Sequence, residues 1–220
     1  MREQPNIFEK QPEALDDDCR ILCETLDIIG PKAVSAEELS GLFKEKEEVG
    51  AIINFGHISI SKLRKKIEEF FSISEDYETE KADAISELLT NAYIHSEKGK
   101  NVFGFKCFKK DGKWKMYVAN FSKKDIPKEI LDIIEKTKSL KKDEVIQFCQ
   151  ETLLNITTNN NLEPEKELGE NEHGREMKDL KKCEHGMGLL IACETCKVEC
   201  NPIIKDGEKI GYNFSLELRE

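Results

Sequence analysis

The sequence predicts an α+β protein, built as a two-layer sandwich with a helical segment attached at its N-terminal end. Two observations lead to this class. The chain contains two separate hairpin patterns, each centred on an Asp-Gly pair, and amphipathic helical patterns precede and separate them. A doubly wound parallel sheet would require strict alternation of strands and helices, and the predicted elements do not alternate. The length of 220 residues suits one domain with attachments.

The first 48 residues form an acidic segment, with 13 acidic and 6 basic side chains and therefore a local charge of -7. Apolar residues recur at spacings of three and four over Glu13–Ile29, which predicts an amphipathic helix. Ser35 and Glu38 form a capping-box pattern, which predicts a second helix that extends to about Glu48. We therefore expect an acidic helical extension over residues 1–48, through which two copies of the chain could form a homodimer.

Beyond the extension, strand and helix patterns follow one another to the end of the chain. The pattern predicts, in order, a strand or strand pair over Val49–Ser59, helices over Ser61–Phe71 and Thr79–His95, a hairpin over Asn101–Phe121, helices over Pro127–Lys138 and Lys141–Asn155, a polar loop or lid over Thr157–Lys182, a helix over Gly186–Glu199 and a hairpin over Ile203–Leu218. The Asp-Gly pairs of both hairpins supply the positive backbone angles of a tight turn.

The composition limits the partners of the protein. The chain is 38% hydrophobic and 35% charged, and its formal net charge is -10. It contains no apolar run near the roughly 18 residues that a membrane-spanning helix needs. Its first residues lack the basic and then apolar layout of a secretory signal, so we expect a cytoplasmic protein without a membrane partner. Nucleic acid would require a basic stripe, so we expect a protein partner with a basic surface instead.

One helix carries polar residues at regular spacing along its flank. Glu87, Asn91 and His95 recur every four residues, beside an apolar face. A carboxamide oxygen is a hard ligand that suits Mg²⁺, and a carboxylate one turn earlier can accept a proton. The alternative is an ordinary solvated flank. His95 could approach a phosphate or cap the end of the helix.

A second set of residues stands where a polar loop meets a helix. The residues from His185 to Leu189 read His-Gly-Met-Gly-Leu, so glycines precede the helix. Glycines allow close backbone approach, and the free N–H groups at a helix start attract phosphate. The alternative is a glycine turn without a ligand.

In this order, the two sets resemble the motifs of the ATP-binding domain shared by gyrase, Hsp90-type chaperones, histidine kinases and MutL-type proteins, the GHKL superfamily. Glu87-x-x-x-Asn91-Ala92 is similar to its asparagine box, and Gly186-x-Gly188-Leu189 is similar to its second glycine box. The resemblance implies a Bergerat-type fold over residues 49–220, in which helices cover one face of a mixed sheet. It also implies an ATP lid over residues 156–184.

Within this superfamily the chain most resembles the small bacterial SiaB-type protein kinases, which phosphorylate Ser or Thr on a partner regulatory protein. The resembling features are the opening Gly50–Ser59, the Val118-Ala-Asn120 strand end, the helical pair that follows it and the late Gly-x-Gly-Leu. The resemblance implies ATP and Mg²⁺ as cofactors, Glu87 as the catalytic residue and Asn91 as the Mg²⁺ ligand. The residues implied to contact ATP are Asn91, His95, Asn120, His185, Gly186, Met187, Gly188 and Leu189.

The sequence departs from the superfamily pattern at the first glycine box. The superfamily has an aspartate there, which accepts a hydrogen bond from the adenine amino group, whereas this chain has Asn120. The oxygen of the Asn120 carboxamide could accept the same bond without a charge. Asp125 is the other candidate acceptor, although its position before Pro127 also suggests a helix start.

Two functions fit these motifs. The first is an ATP-dependent Ser/Thr protein kinase in partner-switching signalling, and Glu87 favours it. The second is a binding module of the same fold that sequesters a regulator without turnover, like an anti-sigma factor, and the missing aspartate favours it. ATP hydrolysis coupled to lid closure is disfavoured because no second domain is evident. None of the four histidines lies in the N-terminal helices, so autophosphorylation on histidine is not expected.

The chain has eight cysteines, and three of them stand close together near its end. Cys193, Cys196 and Cys200 have spacings of three and four, which predicts that they share one face of a helix that enters the core. With Cys183 and His185 upstream they could instead bind zinc, although structural zinc sites commonly use separate Cys-x-x-Cys pairs. Core positions are also expected for Cys107 and Cys149.

Overall fold

The computed structural model describes residues 17–28, 33–43, 47–54, 58–73, 78–97, 100, 102–110, 113–159 and 187–219. Within these residues the chain forms one open six-stranded sheet and seven helices, which confirms the predicted α+β class. The helices are α1 (Asp17–Leu26), α2 (Ala36–Leu42), α3 (Ile60–Phe71), α4 (Thr79–Ile94), α5 (Lys128–Ser139), α6 (Lys142–Asn159) and α7 (Met187–Thr195). The strands are β1 (Ala33–Val34), β2 (Glu48–Asn54), β3 (Val102–Lys110), β4 (Lys113–Phe121), β5 (Cys196–Lys205) and β6 (Glu208–Leu218).

The strand order in the sheet is β1-β2-β3-β4-β6-β5. Strands β2, β3, β4, β6 and β5 pair in antiparallel fashion, and the short β1 is parallel to β2, so the sheet is mixed. The final hairpin turns at Asp206 and Gly207, whose φ angles are 52° and 83°. These positive angles match the turn that the Asp-Gly pair predicts.

The buried side chains form two hydrophobic clusters, one on each face of the sheet. In β4, Met116 and Val118 belong to the larger cluster, whereas Ala119 and Phe121 belong to the smaller one. Successive strand residues point to opposite faces, so the two clusters lie on opposite sides of the sheet. Buried residues from α2 to α7 join the larger cluster, and α1 joins the smaller one with four residues, Cys19, Leu22, Cys23 and Leu26.

Two glycines allow α1 to lie close to the sheet. A Cβ atom at Gly104 would be 2.6 Å from Cδ1 of Leu26, and one at Gly50 would be 2.9 Å from Cγ1 of Ile28. Larger residues at these strand positions would push the helix away. Because its apolar face is covered by this chain's own sheet, a homodimer formed through that face would require α1 to detach.

Several predicted boundaries are wrong. Helix α2 has the predicted capping box, in which the Ser35 hydroxyl accepts from the Glu38 N–H, but it ends at Leu42 rather than near Glu48, which is paired with Phe108 in the sheet. Helix α6 extends to Asn159, past the predicted start of the lid. The chain from 48 to 54 is a single strand, and β1 was not predicted. The first helix ends at Leu26 rather than Ile29, the last helix ends at Thr195 rather than Glu199, and the first strand of the last hairpin begins at Cys196 rather than Ile203. No helix among the described residues has the length and apolar character needed to cross a membrane.

Candidate functional site

The predicted flank lies on the second half of α4. Leu88, Leu89 and Ala92 are buried in the main core, whereas Glu87 and Asn91 are half-buried between that core and solvent. His95 follows the last turn, where its backbone N–H donates to the Asn91 carbonyl at 3.0 Å and its side chain is exposed. His95 therefore occupies the C-cap position of the helix.

Helix α7 packs against α4. Burial and, to a lesser extent, the negative charge of Glu80 raise the pKa of Glu194, so the last turn of α7 lies near the first turn of α4. The charge of Lys81 likewise acts on the thiol of Cys196, the residue that follows α7. Because α4 begins at Thr79, the rest of α7 can contact it only by extending toward the C-terminal end of α4.

This arrangement places the two predicted motifs at about the same level along the helix pair. Seven residues separate Glu80 from Glu87, and seven separate Glu194 from Met187, which corresponds to about 10 Å along each helix. Glu87 is therefore roughly level with the first turn of α7, and Asn91 lies one turn further along. Met187, Gly188 and Leu189 form that first turn. His185 and Gly186, together with almost all of the predicted lid, lie outside the described residues.

Asn120 connects the end of β4 to the same part of α4. Its side chain is buried, and its Nδ2 atom donates to the Ala92 carbonyl at 3.4 Å. A Cβ atom at Gly211 of the paired strand would be 2.2 Å from the Asn120 carbonyl oxygen, so β6 approaches closely here. The structure therefore brings Asn120 to the C-terminal half of α4, and the Asn120 amide nitrogen has a partner in the protein.

Asp125 is bound to a lysine rather than placed at a helix start. Its carboxylate accepts a hydrogen bond from Lys209, which holds the pKa of Asp125 below its ordinary value of 3.8. Lys209 also donates to the carbonyls of Lys123 and Lys124 at 3.2 Å and to the Tyr212 hydroxyl at 3.1 Å. The N-cap residue of α5 is Pro127, so the predicted helix-start role of Asp125 is wrong.

Lys209 and Tyr212 are residues of this region that the sequence did not point to. The Tyr212 hydroxyl accepts a hydrogen bond from the Ile126 N–H at 3.3 Å, so both side chains fix the segment after β4 to β6. In the sequence they stand 84 and 87 positions beyond Asp125, and no periodic pattern relates them to it. Only the antiparallel pairing of β4 with β6 brings them together.

The opposite end of the α4–α7 pair is closed by a buried arginine. Arg219 is 7% exposed, and its guanidinium donates to the carbonyls of Cys193, Cys196 and Thr137 at 3.0 to 3.1 Å. These bonds provide donors for carbonyls at the C-terminal end of α7, where the helix itself supplies none. Arg219 therefore anchors α7 to α5 and to the sheet.

The cysteines near this end are not on one helix face, so that prediction is wrong. Cys193 lies in α7, whereas Cys196 and Cys200 lie on β5. Burial raises the pKa of the Cys193 thiol to about 11 and that of Cys196 to about 12. A thiol with so high a pKa is a poor nucleophile at neutral pH. Cys107 and Cys149 are buried in the main core, as predicted.

No group of three or more His, Cys, Asp or Glu side chains is placed to share a metal ion within the residues that the structure describes. Cys183 and His185, the upstream members of the predicted zinc alternative, lie outside these residues. A Mg²⁺ site does not require such a cluster, because nucleotide-bound Mg²⁺ keeps several waters and needs few protein ligands. Asn91 offers one amide oxygen at a position that reaches solvent, which suits such a site.

In comparisons with known proteins, no family model, no curated protein and no solved structure matches this chain. The resemblance to the GHKL superfamily therefore stays a prediction that depends on the motifs themselves. What this chain does has to be argued from the geometry of α4, α7 and the end of β4.

Proposed function

We propose that the chain is an ATP- and Mg²⁺-dependent protein kinase with a Bergerat-type fold, which phosphorylates Ser or Thr on a partner regulatory protein in the cytoplasm. One observation carries the proposal: α4 and α7 pack against each other, and residue spacing places Glu87 and Asn91 roughly level with the start of α7. A hard oxygen ligand, a carboxylate and the N–H groups of a helix start thus stand at the same end of a helix pair, and these are the groups that phosphoryl transfer requires.

In the proposed mechanism, the residues of this chain mainly position the reactants. Asn91 would hold the cation through its amide oxygen, and the N–H groups at the start of α7 would donate to phosphate oxygens. Glu87 accepts the proton of the Ser or Thr hydroxyl while that oxygen forms its bond to the γ-phosphorus and the bond from the γ-phosphorus to the leaving oxygen of ADP breaks. ATP, when bound, supplies the phosphoryl group, and Mg²⁺ neutralises its charge.

The Asn91→Ala variant tests the binding half of the proposal. Asn91 is on the flank of α4, outside the main cluster, so the variant should keep the fold and lose Mg²⁺-dependent ATP binding. Calorimetric titration with ATP, with and without Mg²⁺, measures this. Unchanged affinity would remove Asn91 as the ligand, and a lowered melting temperature with intact affinity would show that Asn91 has a packing role instead.

The Glu87→Gln variant tests the catalytic half. A proton acceptor acts mainly in the transition state, so this variant should bind ATP normally and transfer phosphate about 10²-fold to 10⁴-fold more slowly. Asp83→Asn is a matched control, because Asp83 lies one turn earlier on the same helix with its side chain exposed. The measurements are ATP affinity by calorimetry and phosphate incorporation into a bound partner by mass spectrometry.

A second candidate is a binding module that sequesters a regulator without turnover. The observation that favours it is that both residues near the first glycine box are held by the protein, since the buried Asn120 side chain donates to the Ala92 carbonyl and the Asp125 carboxylate is bound to Lys209. This reading predicts that the wild-type protein binds its partner and transfers no phosphate to it. ATP binding without transfer, or no ATP binding at all, would favour the module over the kinase.

A further inference from the structure

Helix α1 is attached to the sheet separately from the other helices. Its buried residues belong to the smaller cluster, and within the described residues none of its side chains joins the larger cluster that α2 to α7 share. The sheet contributes four buried residues to the smaller cluster, which are Ile52, Ala119, Phe121 and Ile203. A helix that packs only on this small cluster can leave it without opening the main core.

Two ion pairs hold the first turn of α1. Asp18 is bound to Lys100, which precedes β3. Asp17 is bound at 3.3 Å to Lys205, the last residue of β5. Both lysine side chains are partly exposed, so solvent reaches these pairs. Dissolved salt weakens ion pairs that solvent reaches, and the attachment of α1 should therefore weaken as the ionic strength rises.

The chain leaves α1 through a turn in which a non-glycine residue has a left-handed conformation. The Ile28 N–H donates to the Cys23 carbonyl at 2.9 Å, and the Asp27 N–H donates to the next carbonyl along the helix at 3.3 Å. This is the Schellman arrangement, whose left-handed position is usually glycine. Here Asp27 occupies that position with a φ of 51°. A residue with a Cβ atom is less stable than glycine in this conformation, so the turn favours the docked helix less than a glycine turn would.

The face of α1 that packs on the sheet carries two thiols. Cys19 and Cys23 lie one turn apart and are only 8% and 5% exposed, whereas Arg20 and Glu24 beside them are exposed. Helix α1 has ten residues, and a helix of this length is marginal in water unless it packs on another element. Once released from the sheet, α1 would therefore lose its helical structure and expose both thiols.

We propose that α1 is a salt-sensitive strap, which detaches from the sheet as a unit while the main core stays folded, and which thereby controls access to Cys19 and Cys23. The docked strap shields both thiols from electrophiles and oxidants in solution. The released strap exposes them, together with the apolar strip of sheet beneath. The strap is independent of the proposed kinase function, because α4 and α7 pack on the opposite face of the sheet.

Alkylation of the full-length protein under native conditions tests the strap. Iodoacetamide forms a C–S bond with a thiolate while iodide leaves, and peptide mass spectrometry gives the rate at each cysteine. Cys19 and Cys23 should react at least tenfold faster than Cys107, which is fully buried in the main core, and faster still at high salt. Equal rates at the three cysteines would show that α1 opens only when the whole protein unfolds, and would overturn the proposal.

A pair of lysine variants tests the ion pairs. Lys100→Met should raise the alkylation rates of both strap thiols at least threefold, because Asp18 loses its partner. Lys123→Met is the matched control, because Lys123 is paired with Glu97 rather than with α1, and it should change these rates less than twofold. Equal rates in the two variants would overturn the part that the ion pairs play in holding the strap.

Two substitutions at Asp27 test the turn. Asp27→Gly and Asp27→Ala remove the same carboxylate, but only glycine adopts the left-handed conformation without a steric cost. Asp27→Gly should therefore slow the alkylation of both strap thiols, and Asp27→Ala should accelerate it. Equal rates in these two variants would overturn the part that the turn plays in the release of α1.

Discussion

The two ends of the α4–α7 helix pair differ in how their polar groups are satisfied. At the end near Arg219, a guanidinium that is 7% exposed donates to three carbonyls, and the neighbouring thiols of Cys193 and Cys196 are fully buried. At the other end, Glu87 and Asn91 are half-buried and reach solvent, roughly level with the first turn of α7. The end at Arg219 therefore resembles the protein core, whereas the end at Glu87 and Asn91 resembles the protein surface.

This difference separates a structural role from a functional one. Buried polar groups that bind one another hold elements in a fixed arrangement. Polar groups between core and solvent, on a helix that is fixed elsewhere, are held in position but stay accessible to a ligand. We call the end at Arg219 the closed end and the end at Glu87 and Asn91 the open end. We infer that the closed end fixes the orientation of α7, and that the open end is where a ligand would bind.

Among variants at the two ends, we expect the largest loss of stability at Arg219. Replacing it by Met leaves three buried carbonyls without their donor, so the Arg219→Met variant should lower the free energy of unfolding by about 3 kcal/mol. Denaturant titration followed by circular dichroism measures this. Arg219→Lys should recover part of the loss, because a lysine keeps the charge but not the fork of donors.

Arg20 provides the matched control for this prediction. Its side chain is 55% exposed and is bound to Asp17 at 2.7 Å on α1. Exposed ion pairs contribute little, so Arg20→Met should stay within about 1 kcal/mol of the wild type. Equal losses for the two arginine variants would show that the closed end is not a special anchor.

A smaller effect is expected at the open end, at Asn120. Its hydrogen bond to the Ala92 carbonyl is long, at 3.4 Å, and it connects the end of β4 to the C-terminal part of α4. Asn120→Ala should therefore cost about 1 kcal/mol in unfolding free energy, clearly less than Arg219→Met. Asn201→Ala, on the exposed surface of β5, should leave the stability nearly unchanged. A loss at Asn120 as large as that at Arg219 would erase the distinction between the two ends.

The sequence predicted the elements of the open end better than those of the closed end. Helix α4 has a continuous apolar stripe and polar residues every four positions, and both its bounds and its flank could be predicted. At the closed end, the spacing of the three cysteines near the chain end fits both a helix and a strand. Cys193, Cys196 and Cys200 match a helix, but Cys196, Val198 and Cys200 also alternate with exposed Lys197 and Glu199, as in a strand. Cys196 and Cys200 lie in a strand because β5 pairs with β6, and no local sequence pattern reveals that pairing.

The sequence contains one indication that an element packs closely on the sheet at the position of α1. Gly50 and Gly104 stand inside strands, where glycine often marks the close approach of another backbone. Which helix approaches them depends on contacts between residues that are distant in sequence, and periodicity carries no such information. The same holds for Lys209, whose contact with Asp125 arises only from the register of β4 and β6.

The smallest effect is expected at Asp125, on the segment that follows β4. Its side chain is 91% exposed, so its ion pair with Lys209 should add little to stability at neutral pH. The sign of its pH dependence is nevertheless defined. The folded-state pKa is lowered, so the contribution is present above the ordinary value of 3.8 and is lost as the pH falls through the folded-state value.

Carboxyl NMR signals recorded during acid titration test this last point. Asp125 should titrate below 3.8 in the wild-type protein and return toward that value in the Lys209→Met variant, because Lys209 is the main cause of the shift. The stability difference between the wild type and Asp125→Asn should likewise shrink in acid and at high salt. If Asp125 titrates normally in the wild type, this contact does not hold the segment after β4 in solution. Asp125 would then again be available as an adenine acceptor, and the case for a binding module would lose one of its two supports.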